Sequence, residues 1–256
     1  MNHEISRSIE LVFIDIDGCL TIDKGRADID AIKDLKNLNR RSKESRLYPK
    51  ITLVSGRPQP YVEAFVQLLE VQVPSICENG GIIYDPVKDI SFINPSISKE
   101  ALDELRKLKT FFEENLPNLF PGAKMELGKE VSISLNPPKG VDISLFYEKV
   151  KKEVEDRARH LYITRSKSAV DILPAGISKL SALIFVVKNM GLSLDKVCGI
   201  GDSINDIELL KNVGFPAVPA NSEDEVKKIA LYISPYENGR GVVDIVRKCV
   251  ELNKRG

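Results

Sequence analysis

Asp15 and Asp17 stand two residues apart, directly after the apolar run 9–14 and before Gly18. If that run is a buried strand, both carboxylates sit just past its C-terminal end, where open parallel sheets bind their ligands. A turn at Gly18 would let the two acids converge on one site, although aspartates also serve simply to shape turns. A second acidic stretch, Gly201-Asp202-Ser203-Ile204-Asn205-Asp206, follows the run 196–200 and opens a helix. Asp202 and Asp206 are four residues apart and share a face once that helix begins, and either acid or Ser203 could equally be an N-cap. Carboxylates gathered from two strand ends raise each other's pKa unless positive charge lies between them. A hard divalent cation supplies it, and Mg²⁺ typically takes one or two carboxylates together with waters and a phosphate.

Two further positions suit a phosphate. Ser55-Gly56-Arg57 ends the apolar run 51–54, and a hydroxyl beside glycine-turn amides forms a small anion cradle. Arg57 adjoins it as a site cation or as the partner of a nearby acid. Lys179 begins a helix in Gly176-Ile177-Ser178-Lys179. A cation there opposes the helix dipole, so a bound phosphate and neighbouring aspartates would explain its position.

The elements that must carry these residues follow from apolar periodicity. Strands over 9–14, 51–54 and 75–77 alternate with helices starting near Ile29 and Pro58, and this order implies a parallel sheet with crossover helices. The middle of the chain differs. After a turn at Asp85-Pro86, helices over 99–115 and 144–158 each precede two alternating strands (124–127 and 131–135, then 161–164 and 169–173), with Pro117 and Pro121 stopping the first helix. The repeated helix–strand–strand order indicates a small antiparallel sheet covered by two helices. Alternation resumes with a helix over 179–190, a strand over 196–200, a helix over 205–212, a strand over 216–218 and a last helix after Gly241. The expected fold is therefore α/β: a Rossmann-like core of residues 1–83 and 176–256, with a smaller α+β cap, 84–175, inserted into it.

Composition narrows the function. The 256 residues carry 37 basic and 37 acidic side chains, so the basic excess of a nucleic-acid binder is missing. No apolar run approaches the ~20 residues of a membrane span, and residues 1–7 lack the apolar segment of a signal peptide. The expected setting is cytoplasmic. Four scattered cysteines without a CxxC fit buried thiols in a reducing compartment. His3 and His160 cannot build a histidine metal site. Gly199 and Gly201 give a GxG without the third glycine of a dinucleotide fingerprint.

Taken together, Asp15-x-Asp17-Gly18, Ser55-Gly56, Lys179 and Gly201-Asp202-x-x-Asn205-Asp206 resemble, in order and spacing, the haloacid dehalogenase superfamily of phosphotransferases. Glu78-Asn79-Gly80-Gly81 and Asn238-Gly239-Arg240-Gly241-Val242 are similar to marks of its Cof-type subfamily, which places its cap between the serine motif and the lysine. Archaeal-type phosphoglycolate phosphatases and sucrose-phosphate phosphatases are similar relatives, as are phosphomannomutases. Cys19 departs from the threonine many members carry there, and reads as a small buried side chain.

The resemblance implies roles. Asp15 would be the nucleophile and Asp17 the general acid and then base. Asp15, the backbone carbonyl of Asp17, and Asp202 would hold Mg²⁺, with Asn205 and Asp206 orienting its waters. Ser55, Gly56 and Lys179 would hold the phosphoryl oxygens. The implied reaction is hydrolysis of a small phosphate monoester, a sugar phosphate or phosphoglycolate, through an aspartyl-phosphate. The alternatives are a phosphomutase, which shares every motif, or a non-catalytic phosphate-binding module. Cap residues would choose the leaving group; His160, Arg165 and Lys167 are weak candidates that read more readily as exposed polar groups. The partner is a small phosphorylated metabolite, with no nucleic acid and no membrane. Oligomeric state is not readable.

Overall fold

The computed structural model describes residues 8–22, 25–166 and 168–255; the N-terminal reading of residues 1–7, His3 and Lys167 lie outside them. The chain opens with β1 (Leu11–Ile14), all four side chains buried, and a small hairpin of β2 (Thr21–Ile22) and β3 (Arg26–Ala27). Next come α1 (Ile29–Arg41), β4 (Lys50–Leu53), α2 (Gln59–Leu69) and β5 (Ser75–Cys77). The inserted region holds β6 (Ile82–Asp85), β7 (Ile90–Ile93), α3 (Lys99–Leu119), β8 (Lys124–Met125), β9 (Ile133–Asn136), α4 (Ile143–Glu155), β10 (Leu161–Arg165) and β11 (Val170–Pro174). The chain then returns through α5 (Lys179–Asn189), β12 (Val197–Ile200), α6 (Ile207–Leu210), β13 (Phe215–Val218), α7 (Asp224–Lys227), β14 (Tyr232–Ile233) and α8 (Asn238–Asn253).

The core is a five-stranded parallel sheet in the order β14-β13-β12-β1-β4. β1 lies inside it, in parallel register with β12 (Ile14 opposite Ile200) and with β4 (Ile14 opposite Leu53). That register brings three strand ends level, so Asp15, Val54-Ser55 and Gly201-Asp202 leave the sheet side by side. The all-apolar strands are those of a sheet covered on both faces. The second sheet is antiparallel, in the order β10-β11-β9-β8, and carries α3 and α4. This is the expected α/β core with an inserted antiparallel cap sheet.

The structure corrects several details. Strand 75–77 does not continue the parallel ladder; one parallel bridge, Val54 to Ile76, ties it there, and its other edge pairs antiparallel with β6. Left-handed backbone at Glu78 (φ 48°), Asn79 (φ 54°) and Gly80 reverses the chain at once. α3 runs through Pro117 to Leu119, because buried Leu116 and Phe120 anchor its last turn and the Phe120 amide donates to the Leu116 carbonyl. Residues 204–206 form a 3₁₀ turn ahead of α6, and α8 begins at Asn238 rather than after Gly241. The strands β2, β3 and β14 and the single turn of α7 are too short to carry a periodic signal, and the hairpin of β6 and β7 is a further addition to the expected elements.

The Glu78 motif fastens core to cap. Its buried carboxylate accepts the amides of Glu130 (2.8 Å) and Val131 (2.9 Å) and the hydroxyl of Ser132 (2.8 Å). Burial pushes the Glu78 carboxyl up, and those three donors pull it back. Glu78→Ala leaves them without an acceptor. It should cost about 3 kcal/mol, since each buried unpaired donor costs roughly 1–3 kcal/mol. Urea denaturation curves check this, and a loss below ~1 kcal/mol would contradict the assigned role.

Candidate active site

Lys179 is the first residue of α5. Its Nζ lies 3.0 Å from Asp15 Oδ2 and 2.8 Å from Asp206 Oδ1, with all three side chains buried. Asp15 Oδ1 accepts the amide of Ile16 (2.8 Å). Asp206 turns its second oxygen to the amides of Asp202 (3.0 Å) and Ser203 (3.2 Å). The N-capping geometry that the sequence allowed is thus present, and the same side chain also steadies Lys179. Carboxylate oxygens of Asp15, Asp202 and Asp206 lie within 4.8 Å of one another.

Close packing makes this convergence possible. Gly18 has φ +78°, and a Cβ there would fall 2.3 Å from Asp202 Oδ2. At Gly201 a Cβ would fall 2.4 Å from Cβ of Asp206. Any larger residue would push the two acidic loops apart. Asn221 reinforces the join: its amide donates to the Gly18 carbonyl (2.8 Å) and its oxygen accepts the amide of Asn238 (2.7 Å). The C-terminal Asn238 motif is thereby connected to the acidic loops.

The electrostatics of the cluster are unbalanced. Burial raises the Asp15 carboxyl well above the usual range; Lys179 opposes this, while Asp206 and Asp202 add to it. Lys179 is itself held protonated: burial would lower its pKa, but Asp15 and Asp206 raise it further. One ammonium against three buried carboxylates leaves room for a divalent cation, and an all-oxygen donor set suits a hard one. Burial, followed by the acids, also raises the Cys19 thiol, which is consequently inert.

Asp17 stands apart from this trio. Its carboxylate takes a two-pronged contact from Arg57, Nε to Oδ2 and Nη2 to Oδ1, both 2.7 Å. Arg57 therefore pairs with an acid, one of the two readings the sequence left open. Ser55 is buried, its Oγ accepts the Arg57 amide (3.2 Å), and its carbonyl accepts the amide of Asn79 (3.0 Å). Gly56 packs against the Asn79 side chain.

Asp15, Asp17, Ser55, Gly56, Lys179, Asp202 and Asn205 line one side of a cavity of about 490 Å³, with Asp206 behind them. The opposite wall belongs to the inserted sheet and includes Glu126, Lys129, Asn136 and Asp171, flanked by Ser166 and Ser168. No sequence signal points to these residues. Lys129 and Asp171 are isolated charges among many, and only the β9–β11 register brings them together. Of the weak cap candidates, His160 is exposed and bonds Glu104 (2.8 Å), and Arg165 is exposed; neither lines the cavity. All four cysteines are free and buried, as expected. Among the described residues no helix is long and apolar enough to cross a membrane.

Comparison with known proteins bears on the family and the fold. The haloacid dehalogenase-like hydrolase family matches residues 12–127 and 138–246. Phosphoglycolate phosphatase 1 of Saccharolobus solfataricus is 30% identical over 247 residues, covering 95% of this chain and 96% of that protein. Phosphoglycolate phosphatase of Methanopyrus kandleri is 27% identical over 250 residues, covering 94% and 97%. The crystal structure of Thermoplasma acidophilum 0175 superposes with a TM-score of 0.75 at 25% identity, covering 96% of this chain and 100% of that one.

The raised Asp15 pKa carries a signed prediction. A carboxyl whose folded pKa exceeds its unfolded value adds stability below the unfolded pKa and loses it as pH rises through the folded one. At neutral pH without metal, Asp15 therefore costs folding free energy, because the unfolded carboxyl ionises freely while the buried one resists ionisation. Asp15→Asn should melt about 2–4 °C above the wild type in EDTA, the shift expected for ~1 kcal/mol at this size. The gap should close as pH falls toward the unfolded carboxyl pKa. Calorimetry at several pH values checks this, and a lower Tm for the variant at neutral pH would contradict it.

Proposed function

The chain belongs to the haloacid dehalogenase-like hydrolases, and on that premise we propose that it is a Mg²⁺-dependent phosphatase acting on a small phosphate monoester, a sugar phosphate or phosphoglycolate, through an aspartyl-phosphate. The observation that carries this reading is the buried Asp15–Lys179–Asp206 bridge, with Asp202 beside it, at the mouth of the parallel sheet. Residues 1–83 and 176–256 form the catalytic core in this reading, and residues 84–175 the cap. Four free buried thiols support a cytoplasmic setting.

Asp15, Asp202 and the main-chain carbonyl of Asp17 would hold the metal. When bound, it offsets phosphate charge so that an anionic carboxylate can approach phosphorus. Asp15 Oδ attacks phosphorus and the ester P–O bond breaks. The departing oxygen takes a proton from Asp17. A water then attacks the same phosphorus and gives a proton to Asp17, and the P–O bond to Asp15 breaks, releasing inorganic phosphate. Lys179 holds Asp15 in line and, with Ser55 and the amides at Gly56, receives the phosphoryl oxygens as their charge shifts. Asp206 and Asn205 would orient the surroundings of a bound metal; both oxygens of Asp206 are already engaged by the protein, which suits a supporting role. Arg57 occupies both oxygens of Asp17, so proton delivery requires one of those bonds to open.

Asp15→Asn should abolish phosphate release, by at least ~10³-fold, while leaving the fold intact. Acid-quenched wild-type enzyme turning over ³²P-labelled substrate should carry a hydroxylamine-labile label that Asp15→Asn lacks. Full turnover by the variant would overturn the nucleophile. Mg²⁺ should raise the Tm of the wild type but not of Asp202→Asn, and activity that survives exhaustive chelation would overturn the metal requirement.

A further inference from the structure

The cap wall of the cavity contains a buried charge cluster that the hydrolysis of a phosphate monoester does not itself require. Lys129 lies in the loop between β8 and β9 and is 4 % exposed. Its ammonium contacts Ser134 Oγ, Glu126 Oε2 (3.0 Å) and Asp171 Oδ1 (3.6 Å). Ser134 and Asp171 are register partners on β9 and β11, and the Ser134 hydroxyl also donates to Asp171. Glu126 is held at the cavity edge by its amide bond to the Ser134 carbonyl (2.9 Å). Here two carboxylates face one ammonium.

The same imbalance holds around the whole cavity. Among the described residues lining it, the cations are Arg57, Lys129 and Lys179, and each already contacts a carboxylate. Arg57 is committed to Asp17 by two bonds, and Lys179 belongs to the phosphoryl end. A leaving group bearing its own carboxylate would therefore meet a wall of net negative charge with no unmatched cation among the described residues. A neutral polyhydroxylated group meets what it needs: carboxylate oxygens to accept its hydroxyl protons, and the hydroxyls and amide of Ser166, Ser168 and Asn136 to answer them.

We infer that Asp171 and Glu126, held in place by Lys129 and Ser134, select the hydroxyl groups of a sugar or polyol phosphate and disfavour carboxylate-bearing phosphates such as 2-phosphoglycolate. This rests on the phosphatase reading above and chooses between the two substrate classes that reading leaves open.

The test is phosphate release with Mg²⁺ from glycerol 3-phosphate, erythrose 4-phosphate, glucose 6-phosphate and 2-phosphoglycolate, compared as kcat/KM. At least one polyol phosphate should exceed 2-phosphoglycolate by tenfold or more. Asp171→Asn and, at the less buried position, Glu126→Gln should each lower kcat/KM for that polyol ester, chiefly through KM, and narrow the ratio to 2-phosphoglycolate several-fold. A wild-type preference for 2-phosphoglycolate over every polyol ester overturns the inference and leaves the phosphatase standing, as does an unchanged ratio in both folded variants. No release from any of the four esters, with the metal-induced Tm shift also missing, overturns the phosphatase reading and this inference with it.

Discussion

Lys179 holds the site together because its ammonium bridges Asp15 and Asp206, buried aspartates from two different strand ends. Asp15 arrives at the end of β1 and Asp206 from the turn after β12. Without a cation between them the two loops would repel in a medium that screens charge poorly. The bridge does not neutralise the cluster; it leaves net negative charge inside the protein. Such an arrangement costs stability, and its persistence points to a ligand that completes it. The positive dipole end of α5 works in the same direction, since Lys179 sits at the first turn of that helix with a Ser178–Ser181 capping box beneath it.

Much of this was legible in the sequence because it is local. Asp15, Ser55 and Asp202 each follow a short apolar run, and strand ends in a parallel sheet are level by construction, so the run predicts the place. Gly18 was legible as a turn residue, but neither it nor Gly201 was legible as the contact that lets Asp202 and Asp206 close on their neighbours. Long-range pairing was not legible. Nothing in the spacing of Arg57 and Asp17, forty residues apart, distinguishes a bidentate pair from two surface charges. Likewise Lys129, Ser134 and Asp171 become a cluster only through the β9–β11 register. Pro117 does not end α3, since one missing amide near a helix end is outweighed by the apolar contacts of Leu116 and Phe120.

The two walls of the cavity follow different logics. The core wall gathers carboxylates that want a cation, and its geometry is fixed by backbone amides and by glycines that admit no side chain. The cap wall is built from side chains on a small sheet, where substitution changes the pattern of donors and acceptors without disturbing the strand ends opposite. In the proposed reading, reaction and selectivity are therefore physically separable. Relatives that share the first wall need not share the second, which is why 30% identity across the chain fixes the family more firmly than it fixes a substrate.

The chain enters the inserted region past Gly80 and returns through Ser178, and these two points touch: a Cβ at Gly80 would lie 2.3 Å from the Ser178 carbonyl oxygen. The paired crossings define a natural axle, and Lys179 is the next residue along. Rotation of the cap about that axle would displace Lys179 and the Glu78-anchored residues 130–132 least, and the parts of the cap far from the axle most. The cavity would then behave as a pair of jaws, with the phosphoryl group seated by the pin. Opening such jaws would let product escape while sparing the alignment of Lys179 with Asp15, so the next turnover would begin from a nucleophile already in place.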